Sequence, residues 1–111
     1  MTGVDYSHLA VAAALNNLRL NGLEGRVEFH RAPAQLFHDE PGELLLANPS
    51  LSLQEELLDL GAFRGRRRVI VSGLLPGEGE RLWDRLAALG FKLADQIRTD
   101  RWVTLYGLKE L

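Results

Sequence analysis

Residues 3–7, Gly-Val-Asp-Tyr-Ser, constrain the fold of this chain most. They read as the end of a short apolar strand that carries an acid, Asp5, and an Ala/Leu-rich helical pattern follows at once. A strand passing directly into a helix is the repeating step of α/β folds. An acid at that place commonly binds the two hydroxyls of a nucleotide ribose. The Gly-rich strand–turn–helix expected ahead of it, which would cradle the rest of such a ligand, has no counterpart in this sequence. The chain therefore reads as a nucleotide-type site that begins one βα unit late.

The rest of the sequence continues the alternation. Residues 7–21 have helical character: Ser7 can cap the start, Val11, Leu15 and Leu18 form one apolar face, and Asn21-Gly22 ends it. Arg26–His30 alternates polar and apolar β-formers and is predicted as a short strand. Ala32–Gly42 holds Pro33 and Pro41 and is expected to be loop with at most one helical turn. Glu43–Ala47 contains Leu44-Leu45-Leu46-Ala47, which by its length reads as a strand covered on both faces. Ser52–Leu60 has helical spacing at Leu53, Leu57 and Leu60, with Gly61 as a stop. Arg68–Ser72 is the clearest strand. Pro76–Leu89 is predicted as a helix with Leu82, Leu86 and Leu89 on one face and Gly90 just past its end. Phe91–Arg98 and Trp102–Leu108 are strands whose short joint, Thr99-Asp100-Arg101, makes them an antiparallel hairpin. The order implies a doubly wound, mostly parallel sheet that closes on an antiparallel pair. Such sheets bind ligands at the carboxyl ends of their strands, where Asp5, Arg31, Asn48 and Ser72 fall.

Composition narrows the class. A chain of 111 residues, 46% hydrophobic and 25% charged, fits one globular domain. A formal net charge of −2 argues against a generally basic nucleic-acid binder or a membrane-surface protein. There is no cysteine, which excludes disulfides, cysteine zinc sites and cysteine nucleophiles and is compatible with a reducing cytoplasm. No apolar run approaches the ~20 residues a spanning helix needs, and with no charged-then-apolar opening no secretory signal is expected.

Four stretches carry a resemblance to a known family: GVDYSHLAVAAALNNLRLNGL at 3–23, LLLANPSL at 44–51, VIVSGLL at 69–75 and LAALGFKLADQIRTDRWVTLYGL at 86–108. Together they resemble class I S-adenosylmethionine-dependent methyltransferases, and more narrowly the ribosomal protein L-eleven methyltransferases, the PrmA family. The resemblance implies a Rossmann-like α/β fold running from the family's second strand to its C-terminus, without the first strand and its Gly-rich cofactor loop, as one partial domain spanning 1–111. It implies S-adenosylmethionine as cofactor, with Asp5 on the ribose hydroxyls, Tyr6 on the adenine face, and Arg31-Ala32 where an acid near the adenine amino group commonly stands. Asn48, followed by Pro49, matches the residue that faces the methyl acceptor, where an amide oxygen can hold an amine N–H. The implied acceptor is a protein, such as a ribosomal protein, and the implied compartment is the cytoplasm. In that family the first strand lies between the second and the fourth, so its absence leaves strand edges open to homodimerisation or strand exchange. The expected activity of the chain alone is weak or absent.

Blander readings stand beside these. Asp5 also suits a helix N-terminus through the macrodipole, and it would suit the ribose of a dinucleotide such as NAD equally well. Asn48-Pro49 is also a plain turn initiator. Arg64, Arg66, Arg67 and Arg68 could meet RNA phosphates, but such runs are more often solvated turns. His8, His30 and His38 share no metal spacing, so no metal site is expected. Glu55, Glu56, Glu78 and Glu80 read as surface charges, and Trp83 and Trp102 as core anchors. A non-catalytic interaction or dimerisation module is the alternative function.

Overall fold

Each helix starts and stops where local chemistry marks it. The computed structural model describes residues 1–110. It runs β1 (Thr2–Asp5), α1 (His8–Leu20), β2 (Glu28–Arg31), a 3-10 turn (Ala34–Phe37), β3 (Leu44–Ala47), α2 (Leu51–Asp59), β4 (Arg68–Leu74), α3 (Pro76–Ala88), β5 (Lys92–Arg98) and β6 (Val103–Leu108). Ser7 Oγ accepts from the Ala10 N–H and caps α1, and Ser50 caps α2 through the Leu53 N–H. Pro76 opens α3, where Glu78 Oε1 accepts from the Leu75 N–H. Gly90, at φ +99°, ends α3 while the Phe91 N–H reaches back to the Leu86 carbonyl.

The strands form two sheets. β1 and β2 pair in parallel, and a four-stranded sheet has the order β3-β4-β6-β5, with β3-β4 parallel and the other two pairs antiparallel. The α/β alternation and the C-terminal antiparallel hairpin follow the expectation. The chain divides into two compact units, Met1–Asp39 and Glu40–Leu111.

The first unit is β1, α1, β2 and the 3-10 turn. It holds no residue classed as buried. Its α1 meets the two strands through a half-buried stripe of Ala10, Val11, Ala14 and Leu18, whereas Leu15, expected on that face, is half exposed. The Phe29 ring lies over Gly3, where a Cβ would collide with it.

The second unit holds the core. Phe63, Val69, Val71, Leu74, Leu82 and Leu86 are fully buried, joined by Leu57, Leu58, Phe91, Val103 and Leu105. One face of the sheet carries Ala47, Val69, Val71, Leu105 and Gly107, all buried. Glycine at 107 lets α3 close on the sheet: a Cβ there would lie 3.2 Å from Trp83 Cζ3 and 3.1 Å from Val69 Cγ2. Arg81 pairs with Glu55 at 3.0 Å and Arg85 with Asp59 at 2.6 Å, tying α3 to α2.

Three expectations are corrected. Leu44 and Leu46 are exposed, so β3 is covered on one face only. Its register partner Ile70 and that residue's partner Tyr106 are only half-buried on the same face, since α2 and α3 pack on the other. The buried stripe of α2 is Gln54, Leu57 and Leu58, while Leu60 sits at the C-cap and is exposed. Trp102 is not a core anchor: it is 46% exposed in the turn, with the Arg101 guanidinium 5.3 Å from its ring centroid.

Candidate functional site

In the first unit, parallel pairing aligns Asp5 with Arg31, so the carboxyl ends of β1 and β2 lie side by side. The Ala32 N–H donates to the Asp5 carbonyl at 3.1 Å, and Arg31 Nε donates to the Tyr6 carbonyl at 3.3 Å. Asp5, Tyr6, Arg31 and Ala32 are thereby brought together at one edge of the unit. Asp5 is exposed, and its Oδ1 accepts from the Ser7 N–H at 2.8 Å. That bond is the turn-forming role of an acid ahead of a helix. It occupies one carboxylate oxygen, and Oδ2 has no protein partner among the described residues. A diol needs an acceptor of that kind, so the residue fits a ribose. The Tyr6 ring is 70% exposed and free to cover a flat group.

In the second unit, Asn48 follows β3 and precedes the Ser50 cap of α2. It faces an irregularity in β4, where the register to β6 shifts between Val71 and Leu74. Ser72 Oγ donates to Asn48 Oδ1 at 2.8 Å. Gly73 takes φ +75°, and a Cβ on it would lie 2.5 Å from Asn48 Oδ1, so the close approach requires glycine. Asn48 stays exposed. Its amide is oriented by the protein while its Nδ2 hydrogens and one Oδ1 lone pair remain available. Pro49 is half-buried, and its carbonyl is held from below.

The groups weighed as surface features find definite places. Arg66 is not available to RNA: it is 6% exposed and donates to the carbonyls of Ala62, Gly42 and Glu40 at 3.0, 2.7 and 2.6 Å. His30 packs its ring 4.8 Å from Phe37. Among the described residues no three His, Asp or Glu side chains gather as metal ligands, and no helix is long and apolar enough to cross a membrane. Gln54 was missed in the sequence. Its signal was a polar residue three and four positions before Leu57 and Leu58, on the buried stripe of α2.

The family model for ribosomal protein L11 methyltransferase (PrmA) matches residues 1–110. Among curated proteins none matches by sequence. The structure is similar to a ribosomal protein L11 methylase from Lactobacillus delbrueckii subsp. bulgaricus, with a TM-score of 0.76 and 24% identity over 98% of this chain and 58% of that one. It is also similar to a protein of the NADB-Rossmann superfamily from Streptococcus agalactiae, with a TM-score of 0.71 and 16% identity over 97% of this chain and 50% of that one. A third likeness is to a putative rRNA-methylase from Clostridium thermocellum, with a TM-score of 0.72, 13% identity and coverage of 99% and 72%. This chain thus spans roughly half the length of the first two. At these identities the structures establish a Rossmann-like α/β fold, and the family model establishes that the chain belongs to the ribosomal protein L11 methyltransferase (PrmA) family.

Proposed function

We propose that residues 1–111 form part of one S-adenosylmethionine-dependent methyltransferase domain that acts on a protein in the cytoplasm, with a ribosomal protein as the substrate class. Family membership supports the reading. The observation that carries it is local: an acid and an amide each stand just where a parallel strand ends and a capped helix begins, Asp5 before α1 and Asn48 before α2. When bound, S-adenosylmethionine supplies a methyl group activated by its sulfonium. Asp5 Oδ2 accepts from the ribose hydroxyls, Tyr6 covers the adenine, and the Arg31-Ala32 main chain borders it. In the second unit, Asn48 Oδ1 would accept an N–H of the substrate amine and leave the amine nitrogen's lone pair free for methyl transfer. For an in-line displacement such placement is most of the catalysis.

The groups that would hold the methionine portion have no counterpart in this sequence, so the chain alone is expected to bind weakly and transfer little methyl. Titration of the ¹⁵N-labelled chain with S-adenosylhomocysteine should shift the amides of Asp5, Tyr6 and Ala32 without saturating at micromolar ligand. Asp5→Ala should abolish those shifts. Micromolar binding would overturn the expectation of weakness, and larger shifts with NAD would reverse the choice of cofactor.

A second reading is favoured by one feature of the sheets. Among the described residues β1 pairs only with β2 and β3 only with β4, so each keeps an open edge. Open edges are templates for pairing, and a homodimer through them would make the chain an assembly module. A monomeric sedimentation profile at all concentrations would remove that reading.

A further inference from the structure

We propose that Gln54, acting through Ser72, is the positioning residue that fixes the Asn48 amide for an N–H-bearing methyl acceptor. The proposal rests on the reading of Asn48 given above, and it names residues that play no part in that reading.

Gln54 is fully buried in α2. Its Nε2 donates to the Pro49 carbonyl at 3.1 Å and to the Ser72 carbonyl at 3.0 Å. Both neighbours are acceptors, so the amide must present nitrogen to them; the flipped amide would set oxygen against two oxygens. Its Oε1 has no partner among the described residues. A buried amide with an orphaned acceptor is a poor filler for a core whose other stripe positions are Leu57 and Leu58, because burying an unpaired polar atom opposes folding. A leucine or methionine would fill the same space without that penalty. What only the amide supplies is a single nitrogen that grips two segments at once.

Those two segments flank Asn48. Pro49 is the next residue along the chain. Ser72 lies across the sheet, where its Oγ donates to Asn48 Oδ1 and the following Gly73 backbone fits beneath the same oxygen. Gln54 therefore holds the turn after β3 against the irregular part of β4, and the Ser72 hydroxyl carries that register to the Asn48 side chain. The amide is left in one orientation, with one lone pair spent on the protein and the other presented outward. A catalytic group on an exposed turn needs such support, since a small misplacement costs most of an orientation effect.

The test reads Asn48 directly in the full ¹⁵N-labelled chain. In the unaltered protein the two Asn48 Nδ2 protons should lie away from the shifts of a free side-chain amide, with a heteronuclear NOE close to that of the core backbone. Gln54→Met and Ser72→Ala should each move the pair to the shifts of a free side-chain amide and lower its NOE; the two protons stay distinct in either case, because rotation about the amide C–N bond is slow. The methyl shifts of Val69, Val71 and Leu86 should stay in place. Ser72→Thr, which keeps the hydroxyl, should restore the native shifts and NOE; Gln54→Glu, which matches in shape but cannot donate as a carboxylate, should not. Should Gln54→Met fail to fold, Gln54→Glu decides in its place, and Ser72→Ala with its Thr rescue tests the second step. An ordered Asn48 pair in folded Gln54→Met or in folded Ser72→Ala, or a mobile pair already in the unaltered chain, overturns the proposal. The readout needs neither cofactor nor turnover. A chain that ignores S-adenosylhomocysteine yet shows Thr-rescued order at Asn48 therefore counts against the methyltransferase reading and for the clamp.

Discussion

Arg66 shows how a residue can belong to a surface-looking sequence and still be structural. It stands in the run Arg64-Gly65-Arg66-Arg67-Arg68, yet its guanidinium turns inward and satisfies three carbonyls, two of them in the segment that leads into β3. Hydrogen bonds to a charged donor are each worth about 1.5–3 kcal/mol, and buried carbonyls left unpaired add to the loss. Arg66→Ala should therefore lower the unfolding free energy by about 3–4 kcal/mol in urea titrations, near the upper range for single substitutions. Arg66→Lys should recover little of it, because one ammonium cannot span the planar fork that three separate carbonyls require. The partners of Arg66 and Gln54 could not have been read from sequence. Those partners lie up to 26 and 18 residues away along the chain; the spacing of Gln54 to Leu57 and Leu58 marks a buried position, but nothing local names the carbonyls that either side chain meets. The positions of Asp5, Tyr6, Arg31, Ala32 and Asn48 at strand ends were readable for the opposite reason: strand ends are marked by the change from an apolar run to a turn or cap.

At the scale of elements, the packing of α3 sets the stability of the second unit. Leu82 and Leu86 are fully buried, and Leu82 comes from the same helix turn as Arg81. The two ion pairs to α2 look conspicuous, but Arg81 is 67% exposed and Asp59 is 69% exposed. Exposed pairs contribute about 0–1 kcal/mol, whereas a buried Leu→Ala change costs about 2–5 kcal/mol. Arg81→Ala should thus shift the urea midpoint slightly and Leu82→Ala strongly, with the ion-pair contribution vanishing in high salt. Element positions were largely legible. Glycines 22, 61 and 90 all take positive φ just past the helices they end, and their places in the sequence already fixed those ends. The burial of β3 was not legible. An apolar run such as Leu44–Ala47 records that a strand is suited to coverage on both faces, while coverage itself depends on which helices land there.

At the scale of the molecule, the two units differ in kind. Every residue classed as buried lies in the second, and the first holds none. Amide protection follows burial and packing. Hydrogen exchange should therefore find slow amides in β4, β6 and α3. The amides of β1, α1 and β2 should exchange orders of magnitude faster, since a 13-residue helix is marginal without a packed face. Equal protection in the two units would mean that the first is held by contacts of a different kind. The fold class was readable because periodicity, caps and the α/β alternation all agree. The division into two sheets follows from pairing, which periodicity does not encode.

The open face of the four-stranded sheet has a practical consequence. Leu44, Leu46, Ile97 and Leu108 expose apolar side chains in the native state. Environment-sensitive dyes report exposed hydrophobic surface whether or not a protein has melted. For this chain such a dye starts bright, so a fluorescence melting curve records the fate of that face before it records unfolding. A ligand or partner that covers the face would announce itself by quenching the cold signal, with no change needed in the melting temperature.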